Sequence, residues 1–520
     1  MPKWHLRKGA FWVRAMGALL WASALWWANA QTPRYTPQQL LDEVQYRAFR
    51  FFWEQADPNT GLVSDRAHNR APETRTLASI SATGYALASL PIAVERKWIT
   101  RKQAAQRAHL TLQFILEKMP NIHGWYYHFV DKRTGERVWS SEVSTIDTAL
   151  LVIGALTCGQ YFAGTNIQRL ANTLYNRLDW TWIRTNGGTR PDKQTLSMGW
   201  RPERGFITSE WNMYSEATLL YLLGLGADKN PLPRTCWESW TRKFFTYQGW
   251  QTLEGGPLFI HQMTPIYYHL RHRRDRLGFD YWVSSTNAMH IHRKFCQTKA
   301  KERKTYRANI WGLNASDGPK GYMAYGVPEP EDGTVSPTGV LAAILFTPEE
   351  AIAAGFTMYV QYGNKIWGKY GFSNAFNVDA DWYGPDVIGI DLGMAMLAIE
   401  NYRTGLIWRL IESHPSTWRA YKAAGLRKTQ EACPRALYKQ VERADIFESF
   451  TGVMLPFSLL LPSSQKTTNG GRASWRAKIS QEEKGAPPPY GPYFEKSLCL
   501  HGTLRLPSTA SLVPSSAYFG

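Results

Sequence analysis

Ile146-Asp147-Thr148-Ala149-Leu150-Leu151-Val152-Ile153-Gly154-Ala155-Leu156-Thr157-Cys158-Gly159-Gln160-Tyr161-Phe162 is the stretch that decides the fold. From Ile146 to Ile153 it is apolar on nearly every face of a helix. A surface helix carries one apolar stripe, whereas a helix apolar all round is buried on all sides. Working outward, Ile80 to Trp98, Ala217 to Leu225 and Ile388 to Leu410 are also strongly apolar, while Arg101 to Lys118 is clearly two-faced. Buried helices alternating with amphipathic ones predict two concentric layers, an inner ring shielded by an outer one. Thr36-Pro37-Gln38-Gln39, Thr100-Arg101-Lys102-Gln103 and Thr347-Pro348-Glu349-Glu350 have the spacing of capping boxes and mark helix starts. Trp125 to Val130 and Glu136 to Trp139 predict a small hairpin around Lys132-Arg133-Thr134-Gly135. No repeat of fixed length occurs, which argues against a solenoid. The expectation is an all-α toroid, a barrel of helical hairpins with long loops and a small β-hairpin on one rim. The loops at Glu254–Phe259, Trp311–Gly339 and Trp367–Gly389 are dense in Gly, Pro, Asp and aromatics, and long loops in a compact domain are usually functional.

Three segments divide the chain. Residues 1–30 carry Lys3, Arg7, Lys8 and Arg14, then a short apolar run from Ala15 to Trp27, then Ala28-Asn29-Ala30. That order is the pattern of a cleaved secretory signal peptide, and the run is short of the ~20 residues a spanning helix needs. A periplasmic or secreted protein is expected. Residues 31–430 form one large domain. Residues 431–520 lose the helical period and accumulate Pro, Ser and Gly, as in Ala486-Pro487-Pro488-Pro489-Tyr490, which predicts a weakly ordered tail.

The net charge of +18 invites a nucleic-acid reading. Four of those charges belong to the leader, and most of the rest are scattered along helices beside acids. The densest groups, Arg271-His272-Arg273-Arg274 and Lys299, Lys301, Arg303 and Lys304, are expected on a solvated face. Cys158, Cys236, Cys296, Cys433 and Cys499 are odd in number and contain no CxxC pair, so neither a zinc motif nor a dense disulfide framework is signalled. Aromatics make up 14% of the chain. Trp and Tyr offer a flat apolar face with a polar handle, suited to sugar rings, and they also fill large helical cores.

Glycosidic hydrolysis needs two carboxyl groups, so acids embedded in apolar surroundings near helix ends are the candidates. Glu142 and Asp147 lie among hydroxyls in Ser140–Thr148, where either could simply cap the helix. Glu216 follows Trp211-Asn212-Met213-Tyr214-Ser215 and opens an apolar run. Asp391 lies in Val387-Ile388-Gly389-Ile390-Asp391-Leu392-Gly393, and a lone carboxylate there is costly unless used or paired. Asp379, Asp381 and Asp386 could approach a cation but lack calcium-loop spacing. Asp317 and Tyr322 sit in a glycine-rich loop facing a cleft, although Asp317-Gly318 is also ordinary turn chemistry. GxGxxG, GxSxG and HExxH are all absent. His290-Ile291-His292 is expected to be an ordinary helix with an exposed histidine.

Taken together, these segments resemble the glucoamylase-like protein family that includes bacterial endo-β-1,2-glucanases, glycoside hydrolase family 144. The likeness runs from about Phe51 to Gly425. Its landmarks are Phe51-Phe52-Trp53-Glu54, Ser81-Ala82-Thr83-Gly84, Tyr127-His128-Phe129-Val130-Asp131, Ser141–Ala149, Tyr214-Ser215-Glu216, Gly256–Gln262, Ala315-Ser316-Asp317-Gly318-Pro319 and Asp386–Asp391. The resemblance implies an (α/α)6 barrel and inverting cleavage inside linear β-1,2-glucan, with no metal or other cofactor. It implies Glu216 as general acid and Asp391 as leading base, with Asp147 and Glu142 as competitors. Trp125, Tyr126, Trp211, Tyr214, Tyr322 and Trp382 are the candidate sugar platforms, and His128, His261, Gln262 and Asp317 the further substrate contacts. The expected partner is a β-glucan, with no nucleic acid, and the chain is expected to be a monomer. Two alternatives stay open. One is a polysaccharide lyase on a helical toroid using Tyr322, His128 and Arg293, and the other a non-catalytic glycan-binding protein of the envelope.

Overall fold

The computed structural model describes residues 34–190 and 192–429. The expected leader and tail, with Cys433 and Cys499, lie outside them. Six helices form a closed inner ring: α2 (Ile80–Glu95), α4 (Thr145–Tyr161), α6 (Thr218–Gly226), α7 (Leu258–Tyr267), α9 (Pro337–Ala342) and α11 (Gly389–Thr404). Each packs on the next, and α11 returns to α2. Their faces are buried almost all round, as the apolar sequences require. Outside them lie α1 (Pro37–Glu54), α3 (Arg101–Glu117), α5 (Asn166–Asn176), α8 (Tyr281–Lys299) and α10 (Pro348–Ile366). α12 (Leu406–Ser413) follows α11 through Gly405, whose φ of +68° permits the tight turn. It packs on α4, α7 and α11 and closes the C-terminal end of the ring. The outer partner of α6 is α13 (Pro415–Ala424) from the end of the domain.

Local chemistry sets where the helices begin. Thr36 and Thr100 each form the full capping box with Gln39 and Gln103. Thr347 does not. Its backbone has φ −135° and ψ 71°, its N–H bonds to Ala343 of the preceding 3-10 turn, and its hydroxyl finds no partner. The expected hairpin forms around residues 132–135, and its first arm has further partners. Trp125–Tyr126 folds back on Asn121–Ile122, and Phe129–Asp131 pairs with Leu77–Ser79. The expected pairing itself consists of the Val130–Arg137 bridge, the Asp131 N–H on the Glu136 carbonyl at 2.9 Å and the Val138 N–H on the Phe129 carbonyl at 3.1 Å. Similar short ladders cover the N-terminal ends of the inner helices: Val143–Ser144 on Gly199–Arg201 before α4, and Arg66–His68 on Asp386–Ile388 before α11. His292 is buried rather than exposed, and its Nε2 lies 2.9 Å from the Gly256 carbonyl.

The tightest helix contact is between α2 and α4. A Cβ on Gly154 would stand 2.0 Å from the Gly84 carbonyl oxygen, and one on Gly84 would stand 2.4 Å from that of Leu150. Backbone presses on backbone, so no side chain can yield. Gly154→Ala is expected to lower stability by about 2–3 kcal/mol through overpacking, read as a fall in the urea midpoint with an unchanged m-value. A neutral substitution would refute this account of the ring's packing.

Candidate active site

The N-terminal ends of the inner helices gather the acids that matter, at the end of the ring opposite α12. Asp391 lies in the first turn of α11, 5% exposed. Its Oδ1 accepts from Asn314 Nδ2 at 3.2 Å and its Oδ2 from Asn374 Nδ2 at 2.7 Å. The orientation of both amides is fixed from behind. Asn314 Oδ1 accepts from the Phe259 N–H at 2.9 Å, and Asn374 Oδ1 from the Asp317 N–H at 2.8 Å. Only the NH2 groups can face Asp391, so two donors meet two acceptors and the carboxylate form fits. Burial and the nearby charges of Asp317 and Asp65 act the other way, while the Asn374 hydrogen bond and Arg66 oppose them. The Asp391 pKa settles at about 7. Arg66 binds both oxygens of Asp317, at 3.0 and 3.2 Å, and also pairs with Asp65.

Glu216 stands two residues before α6 and is half-buried. Among the described residues no cation lies within ion-pair distance of it. Burial is the largest influence on its carboxyl. Its own backbone N–H opposes burial and the charge of Asp147 adds to it, leaving the pKa at about 7. Tyr85, wholly buried on α2, lies in the fields of both Asp391 and Asp147, and Gly393 leaves room for its ring. Glu216, Asp147 and Asp391 therefore belong to one electrostatic neighbourhood.

His128 organises the adjoining wall. Its Nδ1 lies 3.1 Å from Glu142 Oε1 and its Nε2 lies 3.5 Å from Asp147 Oδ2. Burial alone would lower the imidazole's pKa, but the two carboxylates outweigh it and raise the value to about 9. Glu142 is pushed up by burial but held down to about 2 by His128, with Arg201 3.6 Å away. A permanently ionised, paired Glu142 is a poor proton carrier. The α4 cap is Ser144, whose Oγ accepts from the Asp147 N–H at 3.2 Å and donates to Asp147 Oδ2 at 2.6 Å. The N-cap is therefore neither Glu142 nor Asp147, but Asp147 does stand in the first turn as the acid that complements the helix N-terminus.

Several expected sugar contacts are corrected. Trp125 and Tyr126 have no exposed surface, and Trp125 Nε1 bonds the Asp179 carbonyl beneath the rim. Gln262 is fully buried and donates to the Gly339 carbonyl. His261 is 2% exposed, and burial pushes its pKa down to about 3. Trp211 and Tyr214 are also buried. The indole of Trp211 donates to Thr145 Oγ1, and Tyr214 stacks on Tyr281. Neither is an open platform, and Tyr214 lies in the field of Glu216. Tyr322 is 51% exposed, Trp382 is half-buried, and Asp317 and His128 are partly open. Asp379, Asp381 and Asp386 do not converge. They bind the Lys304 and Thr305 amides, Lys365, and the His68–Arg75 pair respectively. Arg66, Asn374 and Tyr85 were missed by the sequence reading. Asn314 was quoted there only as a neighbour of Asp317.

Known proteins place this arrangement. Residues 208–415, which span Glu216 and Asp391, match the family model Glycoamylase, described as "Putative glucoamylase". The chain carries a glucoamylase-like domain. It is 28% identical over 447 residues to an exo β-1,2-glucooligosaccharide sophorohydrolase (non-reducing end) from Parabacteroides distasonis, covering 77% of this chain and 59% of that protein. The chain thus spans less than two thirds of this relative's length. Two solved structures share the fold over nearly their whole length. An endo-β-1,2-glucanase from Chitinophaga pinensis, in complex with sophorotriose and glucose, has a TM-score of 0.68 at 28% identity, covering 76% of this chain and 99% of its own. A glucoamylase-type protein from Bacteroides uniformis has a TM-score of 0.71 at 28% identity, covering 76% and 99%.

The raised pKa of Glu216 has a consequence for stability. An unfolded Glu ionises near 4.5 but the native one near 7, so ionisation favours the unfolded chain. That penalty is absent below about pH 4.5, grows as pH rises, and is complete above about 7. Glu216→Gln is therefore expected to be more stable than the parent at pH 8, by about 1–3 kcal/mol. The gap should close at pH 4. Urea unfolding at the two pH values measures it, and a gap independent of pH would contradict the assignment.

Proposed function

We propose that the protein is an exported glycoside hydrolase that cleaves internal linkages of linear β-1,2-glucan with inversion, releasing sophorose-type oligosaccharides. The observation that carries this reading is the contrast in hydrogen-bond partners between two carboxyls of similar pKa, Glu216 and Asp391. Among the described residues Glu216 has no donor aimed at it other than its own backbone N–H and no cation beside it, so little favours its anion and it serves as general acid. Asp391 receives two oriented amide donors that suit an anion, so it serves as the base that takes a proton from the attacking water. The reaction balances simply. Glu216 gives its proton to the leaving glycosidic oxygen, water adds to the anomeric carbon, and Asp391 accepts the water's proton. The β-1,2-linkage is supported by the activities named for the relatives from Parabacteroides and Chitinophaga. Export is supported by the signal-like order of residues 1–30.

The lyase alternative keeps Tyr322 as a candidate base but loses support at its other two residues. His128 is held protonated between two carboxylates, and Arg293 lies on the outer helix α8. No residue pattern favours binding without turnover over hydrolysis.

Glu216→Gln and Asp391→Asn are each expected to lower release of reducing ends from β-1,2-glucan by about 10²–10⁴-fold with the fold intact. Proton NMR of the first product should show the α-anomer, and chain lengths should fall as a ladder rather than as sophorose alone. Controls on β-1,3-, β-1,4- and α-glucans should show no cleavage. Because Asp391 must be ionised and Glu216 protonated, kcat/KM should follow a narrow bell centred near pH 7. Full activity of Glu216→Gln would remove it as the acid, and an unsaturated product absorbing in the ultraviolet would restore the lyase.

A further inference from the structure

Trp139 is 72% exposed, the most open of the large apolar side chains among the described residues. It was read only as the end of a hairpin strand, and none of the functional assignments uses it. Its backbone is unusual. Trp139 has φ +58° and Ser140 has φ +52°, two successive non-glycine residues in the left-handed region. Each such residue costs roughly 1–2 kcal/mol, and strain of this kind persists only where the surroundings over-determine it. Ser141 supplies that determination. Its Oγ donates to the Phe129 carbonyl at 3.0 Å and accepts from the Phe129 N–H at 3.3 Å. Its own N–H reaches the Val138 carbonyl at 3.1 Å, and its carbonyl accepts from Arg137 Nε at 2.6 Å. The fold thus holds a large apolar ring out into water in a fixed turn.

The ring is also placed in line with the candidate acids. Its centroid lies 5.7 Å from that of Phe129. Phe129 in turn stacks on His128 at 3.8 Å and 18°. His128 touches Glu142 and Asp147. A row of three rings therefore runs from solvent to the rim of the acid cluster. The chain around Trp139 is polar, with Ser140 next to it and Arg137, paired with Glu203, two residues before it. A single exposed ring backed by one partly buried ring does not form the contiguous apolar patch of a protein interface. It suits a neutral ring with an apolar C–H face and a rim of hydroxyls.

We propose that Trp139 is the platform of a distal subsite that stacks a glucosyl unit of the polymer beyond the units held at Glu216 and Asp391. The subsite rests on the hydrolase reading for the identity of the sugar. On this proposal it acts by retaining chains long enough to reach past His128 and Phe129 to Trp139, which sets a polymer apart from a trisaccharide.

The test compares Trp139→Ala and Trp139→Phe with the parent on long-chain β-1,2-glucan and on a β-1,2-linked trisaccharide. In the Ala variant, the ratio of kcat/KM on the polymer to that on the trisaccharide is expected to fall about tenfold, mostly through KM, while Phe keeps it within about threefold. An unchanged ratio in Trp139→Ala, or an equal loss on both substrates, overturns the subsite. If the parent cleaves no β-1,2-glucan, the hydrolase reading has failed, and the platform is judged by affinity electrophoresis in gels containing each soluble glucan. Retardation of the parent but not of Trp139→Ala by at least one glucan upholds it. Equal retardation, or none in any gel, overturns it.

Discussion

The structure turns on a buried carboxylate, Asp391, held by two asparagine amides whose other ends are held by backbone. Neither amide could be trusted to face Asp391 by itself, since an amide can present oxygen as easily as nitrogen. The Phe259 and Asp317 N–H groups remove that freedom. Four separate segments must be in register for this to happen: residue 259 at the start of α7, residues 314–317, residue 374 and α11. The barrel exists to bring those segments to one place, and the inner ring supplies the common rim on which they meet. A single buried charge left without such donors would cost several kcal/mol, so the alignment is enforced as well as exploited.

The rest of the rim balances charge around that centre. Arg66 joins Asp317 and Asp65, and so prevents their full negative potential from falling on Asp391. His128 performs a parallel task on the neighbouring wall, setting one positive charge between Glu142 and Asp147. Glu216 is the exception, because it has burial and a like charge but no counter-ion among the described residues. Burial raises Glu216 and Asp391 alike to about 7, whereas His128 holds Glu142 down to about 2, so carboxyls on one rim differ in charge state according to burial and partners together.

Rigidity comes from below. The α2–α4 contact, with Gly84 and Gly154 backbone to backbone, leaves no slack between the helices that carry Tyr85 and Asp147. α12 closes the far end, so the rim is the face where loops can differ without disturbing the ring. The short antiparallel ladders then fix those loops at the mouth, and the strained turn at Trp139 and Ser140 is affordable because Ser141 ties it to Phe129.

Much of this was legible along the chain. An apolar run such as Ile146–Ile153 can only be a helix buried on every side, and Thr36 and Thr100 announce their helices through contacts three residues away. Glu216 and Asp391 stood out for the same reason: a carboxyl inside an apolar segment is conspicuous on sequence alone. Residue type did not reveal which aromatics meet solvent. Trp125 and Trp139 lie fourteen positions apart in similar loops, yet one is sealed in the core and the other is 72% exposed. Nor did it reveal that Glu142 is neutralised by His128, or that Asn374 completes the cradle of Asp391. The sequence by itself determined the helical layers and the acids, because helix burial and capping are governed by near neighbours and periodicity. Only the tertiary structure decided the partner, charge state and exposure of each rim residue. Those depend on contacts such as Asn314 with Asp391 and Arg66 with Asp317, which join segments far apart in the chain.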